Sequence, residues 1–259
     1  MVGVMDPSVS GSALAALGED LFLLSIRRRD GKLLTRGRID SALMASELIR
    51  LAAAGRAWIA EGRIAARDQT ATGDPELDAA LLSLAGATSP LRPETWVGLP
   101  RRGIRAAYAA RLTSAGVLRL GSSWAIGTPR YHVGAPRYHV TDTSRVTVAR
   151  SRLDAVTQSS GPRSDPGPGQ AALAGLASAI GLGDVLYPGR EGRAQRTRMA
   201  QIARQQVIAQ AAAGPDSLLA LEGVIAATVH ALTAVIEDGA IVASEVVGTR
   251  VGGIRLPAR

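Results

Sequence analysis

Asp40-Ser-Ala-Leu-Met-Ala-Ser-Glu-Leu-Ile-Arg-Leu-Ala-Ala-Ala-Gly-Arg56 is the stretch whose reading decides the fold. Met44, Leu48 and Leu51 recur at helical spacing, which predicts a helix over Ser41–Ala54 with one buried face. Asp40 suits the N-cap, where a carboxylate accepts from the free amides of the first turn. Gly55 suits the left-handed position that ends the helix. Downstream, Arg56-Ala-Trp-Ile-Ala alternates, Glu61-Gly62 is turn-like and Arg63-Ile-Ala-Ala-Arg alternates back, so a short hairpin is expected. In Thr70-Ala-Thr-Gly-Asp-Pro-Glu-Leu-Asp, Asp74 is the expected N-cap of a second helix and Pro75 its first residue. Leu77, Leu81 and Leu84 supply that helix's buried stripe.

Further out, the 259-residue chain is 46% apolar but only 3% aromatic, so its core must come from Leu, Ala, Val and Ile. It holds 29 Arg against one Lys, which reads as a GC-rich, bacterial and specifically actinobacterial, codon bias. The net charge of +8 favours anionic partners, either nucleic acid or an acidic membrane surface. The absence of Cys excludes disulfides, thiolate metal sites and cysteine nucleophiles. No basic segment followed by an apolar run opens the chain, so a secretory signal is not expected.

The expected architecture is mainly α: a compact helical bundle with buried central helices and two short hairpins. Residues 1–12 form a disordered start and 13–236 one domain with a flexible loop at 159–169. Residues 237–259 form a Gly-rich, strand-like tail. Pro100 opens a helix ending at Gly116, which places Arg101, Arg102 and Arg105 on one face. Val117–Leu120, Gly121-Ser-Ser and Trp124-Ala-Ile read as the second hairpin. Pro129-Arg-Tyr-His-Val is then repeated at Pro136-Arg-Tyr-His-Val, a local duplication placed in a loop. Helices are expected over Thr143–Val156, about 170–180 and about 191–213. Ser217–Ile236 is apolar nearly all round and reads as a buried central helix, with a bilayer span as the alternative.

The order of the pieces around the opening stretch resembles the Golgi phosphoprotein 3 family. The resemblance rests on Gly18-Glu-Asp-Leu-Phe-Leu-Leu, Asp30-Gly-Lys-Leu, Leu48-Ile-Arg-Leu-Ala-Ala-Ala-Gly-Arg and Thr72-Gly-Asp-Pro-Glu-Leu-Asp-Ala-Ala-Leu. It is close from Glu19 to Leu84, fair from Glu94 to Leu118 and weak beyond. Eukaryotic members are peripheral Golgi proteins that bind phosphatidylinositol 4-phosphate and sort membrane enzymes. Their headgroup pocket uses three Arg and one Trp. By the resemblance two of those Arg match Arg102 and Arg105, the third falls on Met44 and the Trp on Thr35, with Arg36, Arg38 and Arg101 as substitutes. The family's membrane-entering hairpin maps to Val117–Ile126, with Leu118, Leu120, Trp124 and Ile126 as contacting residues. The resemblance thus implies a cytoplasmic, peripherally membrane-associated protein that binds anionic phospholipid. Cytoplasmic tails of membrane proteins and self-association through the hairpin are further expected contacts.

No nucleophile–base pair and no helical histidine pair at metal spacing is present, so neither enzymatic activity nor a cofactor or metal is expected. His132 and His139 belong to the repeated loop, and His230 is expected in a core helix. Between Thr95 and Thr141 lie seven Arg and no acid, the pattern of an uncompensated anion-binding face. Two rival readings remain. In one, Ser41–Ala54 and the hairpin after it form a winged helix on DNA, although Glu47 and Arg50 are that helix's only charges and no specific nucleic acid is expected. In the other, the protein is an adaptor for proteins alone.

Overall fold

The computed structural model describes residues 13–35, 37–67, 69–121, 136–158, 166–212 and 221–250. In chain order the elements are α1 (Leu17–Leu24), α2 (Ile39–Ala53), β1 (Ala57–Ala60), β2 (Arg63–Ala66), α3 (Pro75–Ala85), α4 (Pro93–Gly98) and α5 (Ile104–Ser114). There follow β3 (Leu118–Gly121), β4 (Arg137–Val140), α6 (Thr143–Gln158), α7 (Pro168–Ala179), α8 (Leu182–Leu186), α9 (Arg193–Ala212) and α10 (Leu221–Arg250). The fold is mainly α, with two two-stranded antiparallel sheets among the described residues.

Helix α2 is the axle of the molecule. Twelve of its fifteen residues are buried, and it packs against α1, α4, α10, α3 and α5. A helix buried all round needs partners on every side, and Ala42, Ala45 and Ser46 keep its surface narrow enough for them. Its end follows the sequence. Gly55 adopts φ 68°, and the amides of Gly55 and Arg56 return to the carbonyls of Ala52 and Leu51. Its start does not. Arg38 occupies the N-cap without a side-chain bond, Ile39 and Asp40 are already helical, and the Asp40 carboxylate is engaged elsewhere.

The first hairpin forms as expected. Glu61 and Gly62 both take positive φ, the turn that matches the twist of two paired strands. The second is wired differently. Strand β3 pairs with Arg137–Val140, the second copy of the repeat, which the sequence assigns to a loop. The alternation of Arg137-Tyr-His-Val suits a strand and sends Tyr138 into the core edge-on to Phe22, with ring centroids 5.2 Å apart. Trp124, Ile126, His132 and the first copy of the repeat lie outside the described residues, as do residues 1–12, the linker 159–165 and the terminal 251–259. The expected loop does not reach 169, because Pro168 opens α7.

Three further expectations are corrected. The segment after Glu237 continues α10 to Arg250 and is not strand-like, since Ala, Glu and Val between its glycines sustain helix. His230 is exposed, although its neighbours Val224, Val229, Ala231 and Leu232 are buried as expected of that helix. Helix α4 was not anticipated, yet Pro93 at its start is a legible signal. It seats Trp96 in the core, where Nε1 donates to the Met44 carbonyl at 2.9 Å. No helix among the described residues is long and apolar enough to cross a membrane.

Gly18 sets a close approach of α1 to α5. A β-carbon there would lie 2.5 Å from the hydroxyl of Tyr108, a side chain with no exposed surface and no room to retreat. Gly18→Ala is therefore expected to destabilise the fold by about 1–3 kcal/mol in chemical denaturation, as overpacked cores do.

Candidate functional site

Three of the six described arginines between Thr95 and Thr141, Arg101, Arg105 and Arg111, meet acids from other parts of the chain, so the face expected to be uncompensated is compensated in part. Arg111 binds Glu19 at 2.7 Å, Asp74 at 2.7 Å and Glu76 at 3.0 Å. Arg50, with its side chain only 6% exposed, reaches the same Asp74 oxygen. Glu19 also holds Arg145, and Asp20 holds Arg152. One ionic network thus ties α1, α2, α3, α5 and α6 together. The Thr72-Gly-Asp-Pro stretch is its cradle. Asp78 accepts from the amide and hydroxyl of Thr72, Gly73 turns the chain at φ 81°, and Asp74 caps α3 by accepting from the amides of Glu76 and Leu77. Burial alone would raise the Asp74 carboxyl. The hydrogen bond from Arg111 and the charge of Arg50 outweigh it and hold the group well below the usual carboxylate range.

At the junction of α4 and α5 the predicted headgroup residues separate into two groups. Arg101 is fork-bound to the fully buried Glu47, both bonds at 2.8 Å. Arg105 is fork-bound to Asp40 at 2.8 and 2.6 Å, and that partner holds the guanidinium above its ordinary range. Arg102 lies in the turn before α5 and not on its face, because Gly103 takes φ 82° and delays the helix to Ile104. It is exposed and has no partner among the described residues. The first turn of α5 contains no acid, and no side chain caps it.

Met44 does not belong to this surface. It is 1% exposed, with its sulfur 3.5 Å from the Arg101 amide. Thr35 and Arg38 line a different hollow, against Ile180, Gly181, Asp184 and Val185. Arg36 lies outside the described residues. The second hairpin stands beside α5, against which β3 packs. It presents Arg119 and Leu120 outward, Leu120 being 52% exposed, whereas Leu118 is buried. The turn carrying Arg27, Arg28 and Arg29 is tied to this hairpin, since Tyr138 donates its amide to the Gly31 carbonyl and Arg137 its guanidinium to that of Asp30.

Two chemistries can be weighed against this geometry. A helix that reads a DNA groove must stand free, and the burial of α2 rules it out as a recognition helix. Among the described residues no group of three His, Asp or Glu side chains is placed to hold a metal ion. No curated protein matches the sequence. The model of the family described as Golgi phosphoprotein 3 (GPP34) matches residues 17–216. That match spans every element from α1 to α9, including the ionic cradle and the second hairpin, and the chain therefore belongs to the Golgi phosphoprotein 3 family.

Proposed function

We propose that the protein is a non-enzymatic peripheral membrane protein that docks on anionic phospholipid headgroups. Its contact face comprises the start of α5, Arg102, Arg105 and the outer side of the β3–β4 hairpin. The supporting observation is the uncapped, acid-free N-terminus of α5 beside the exposed Arg102. Helix amides pointing outward attract phosphate, and an unpaired guanidinium next to them can bind it through two bonds. Arg105 contributes by exchanging or sharing its Asp40 partner. Leu120 provides an apolar anchor flanked by Arg119. The proposal extends to a phosphatidylinositol 4-phosphate-like ligand, to cytoplasmic tails of membrane proteins as clients and to self-association through the hairpin, which the family resemblance suggests.

Sedimentation with vesicles of anionic or neutral phospholipid tests the reading. The wild type is expected to pellet with anionic vesicles, and Arg102→Ala/Arg105→Ala to lose roughly thirtyfold in affinity, since each basic residue at an anionic leaflet contributes about 1 kcal/mol. Leu120→Asp weakens binding without changing its preference for charge. Equal binding of all variants to both vesicle types ends the lipid reading and leaves an adaptor for proteins alone.

A further inference from the structure

A second concave site lies away from the α5 terminus, in a cavity of about 440 Å³ between the end of α1, the outer face of α6 and α8. Its apolar lining includes Leu23, Leu24, Ile26, Leu34, Val146 and Val185. It is continuous with the hollow at Arg38, because Leu34 and Val185 line both. That size and a mixed lining, seven apolar side chains beside six polar ones, suit a small amphiphilic ligand.

The polar groups in it are mainly cationic. Arg150 is locked in place, with its guanidinium 4.1 Å from the centre of the Tyr187 ring, Nε on Asp154 at 3.1 Å and Nη2 on the Leu186 carbonyl at 2.9 Å. Its Nη1 has no partner among the described residues. Arg28, in the turn after α1, also lines the groove, is exposed and has no partner among the described residues. Arg27 is held by Asp30 at 3.2 Å, and Asp154 is taken up by Arg150 and the Tyr187 hydroxyl. Two donors therefore remain uncommitted beside a strip of apolar floor. The Ser151 side chain, exposed and with no partner among the described residues, adds a neutral one.

From this complementarity we infer that the groove binds a free single-chain amphiphile, an acyl chain ending in a carboxylate or phosphate. The chain lies along the floor from Ile26 to Val185, and the anionic end meets Arg28 and the free edge of Arg150. A charged terminus gains from a fixed guanidinium as a neutral one does not. The site is independent of the α5 terminus and can exist whether or not that surface binds lipid.

Calorimetric titration of the full chain with laurate, below its micelle concentration, tests the inference against dodecanol. Laurate is expected to bind in a 1:1 ratio, at least tenfold more tightly than dodecanol. Arg28→Ala should weaken laurate about tenfold and leave dodecanol unchanged. Val185→Glu should abolish binding. Val185 is 44% exposed, so the substitution leaves the core intact, and an unchanged melting temperature confirms it. Arg102→Ala/Arg105→Ala should bind laurate as the wild type does, which separates this site from the headgroup surface. Equal affinity for laurate and dodecanol, binding retained by Val185→Glu, or loss in the Arg102→Ala/Arg105→Ala protein would each overturn the assignment.

Discussion

Replacing Asp74 with alanine is expected to cost about 4 kcal/mol of stability, the largest single effect in the molecule. Two losses combine. The amides of Glu76 and Leu77 lose their cap, which is worth about 1 kcal/mol. Arg50, buried beneath α3, loses its carboxylate while its Nε has no hydrogen-bond partner either. Removing one member of a buried pair typically costs about 3–5 kcal/mol, because the remaining charge stays desolvated. Asp74→Asn separates the two terms, since asparagine caps as well as aspartate but carries no charge. The expected order of denaturation midpoints is wild type, then Asn, then Ala, with the alanine variant melting roughly 10 °C below wild type. Equal losses for Asn and Ala would mean that the charge alone matters. The pH response has a definite sign. Because the folded-state carboxyl is depressed, its contribution is present above the ordinary Asp range and is lost as pH falls through the lower folded value.

This network also shows why the fold was more legible than the site. Helix α2, the first hairpin and the cap at Asp74 depend on spacing and on residues within a few positions of one another, which sequence displays directly. Charge pairing is not local. The stretch from Thr95 to Thr141 has no acid of its own, yet Asp40, Glu47, Asp74 and Glu76 reach it from 35 to 65 residues away in the chain. A +8 chain can therefore look uncompensated along its sequence and be well paired in space. Asp40 illustrates the cost of local reasoning. Its position suits an N-cap, but a fork-shaped partner on α5 competes for the same oxygens and wins. Met44 fails for the opposite reason. The family resemblance places it in a headgroup pocket, whereas Trp96, whose indole donates to its carbonyl, belongs to a helix no periodicity announces. The second hairpin is legible only in its first strand, because the sequence pairs Val117–Leu120 with Trp124–Ile126 and assigns the repeat to a loop. Only Tyr138's packing on Phe22 distinguishes the true partner.

Stability is expected to rise as the pH is lowered from 8 to 5.5, by about 2 kcal/mol from Glu47 alone. The cause is burial, which penalises the charged carboxylate. Its fork with Arg101 and the charge of Arg50 oppose that penalty, Glu76 adds to it, and the balance pushes the group up to about 7. Tyr108, buried against the same group, is itself pushed up to about 12 and stays neutral throughout. In the unfolded chain Glu47 titrates near 4.5, so between 4.5 and 7 the folded state binds the extra proton. The contribution is therefore complete below 4.5 and is lost as pH rises through 7. Glu47→Gln should remove this slope, leaving the variant's denaturation midpoint flatter across the same range. An unchanged slope would show that Arg101 keeps Glu47 ionised throughout. Under the proposed headgroup-docking function, protonation of Glu47 deprives Arg101 of its charged partner and frees that guanidinium for an anionic headgroup near Arg102. Vesicle sedimentation should accordingly strengthen below pH 7 in the wild type. In Glu47→Gln it should already be strong at pH 8 and change little on acidification.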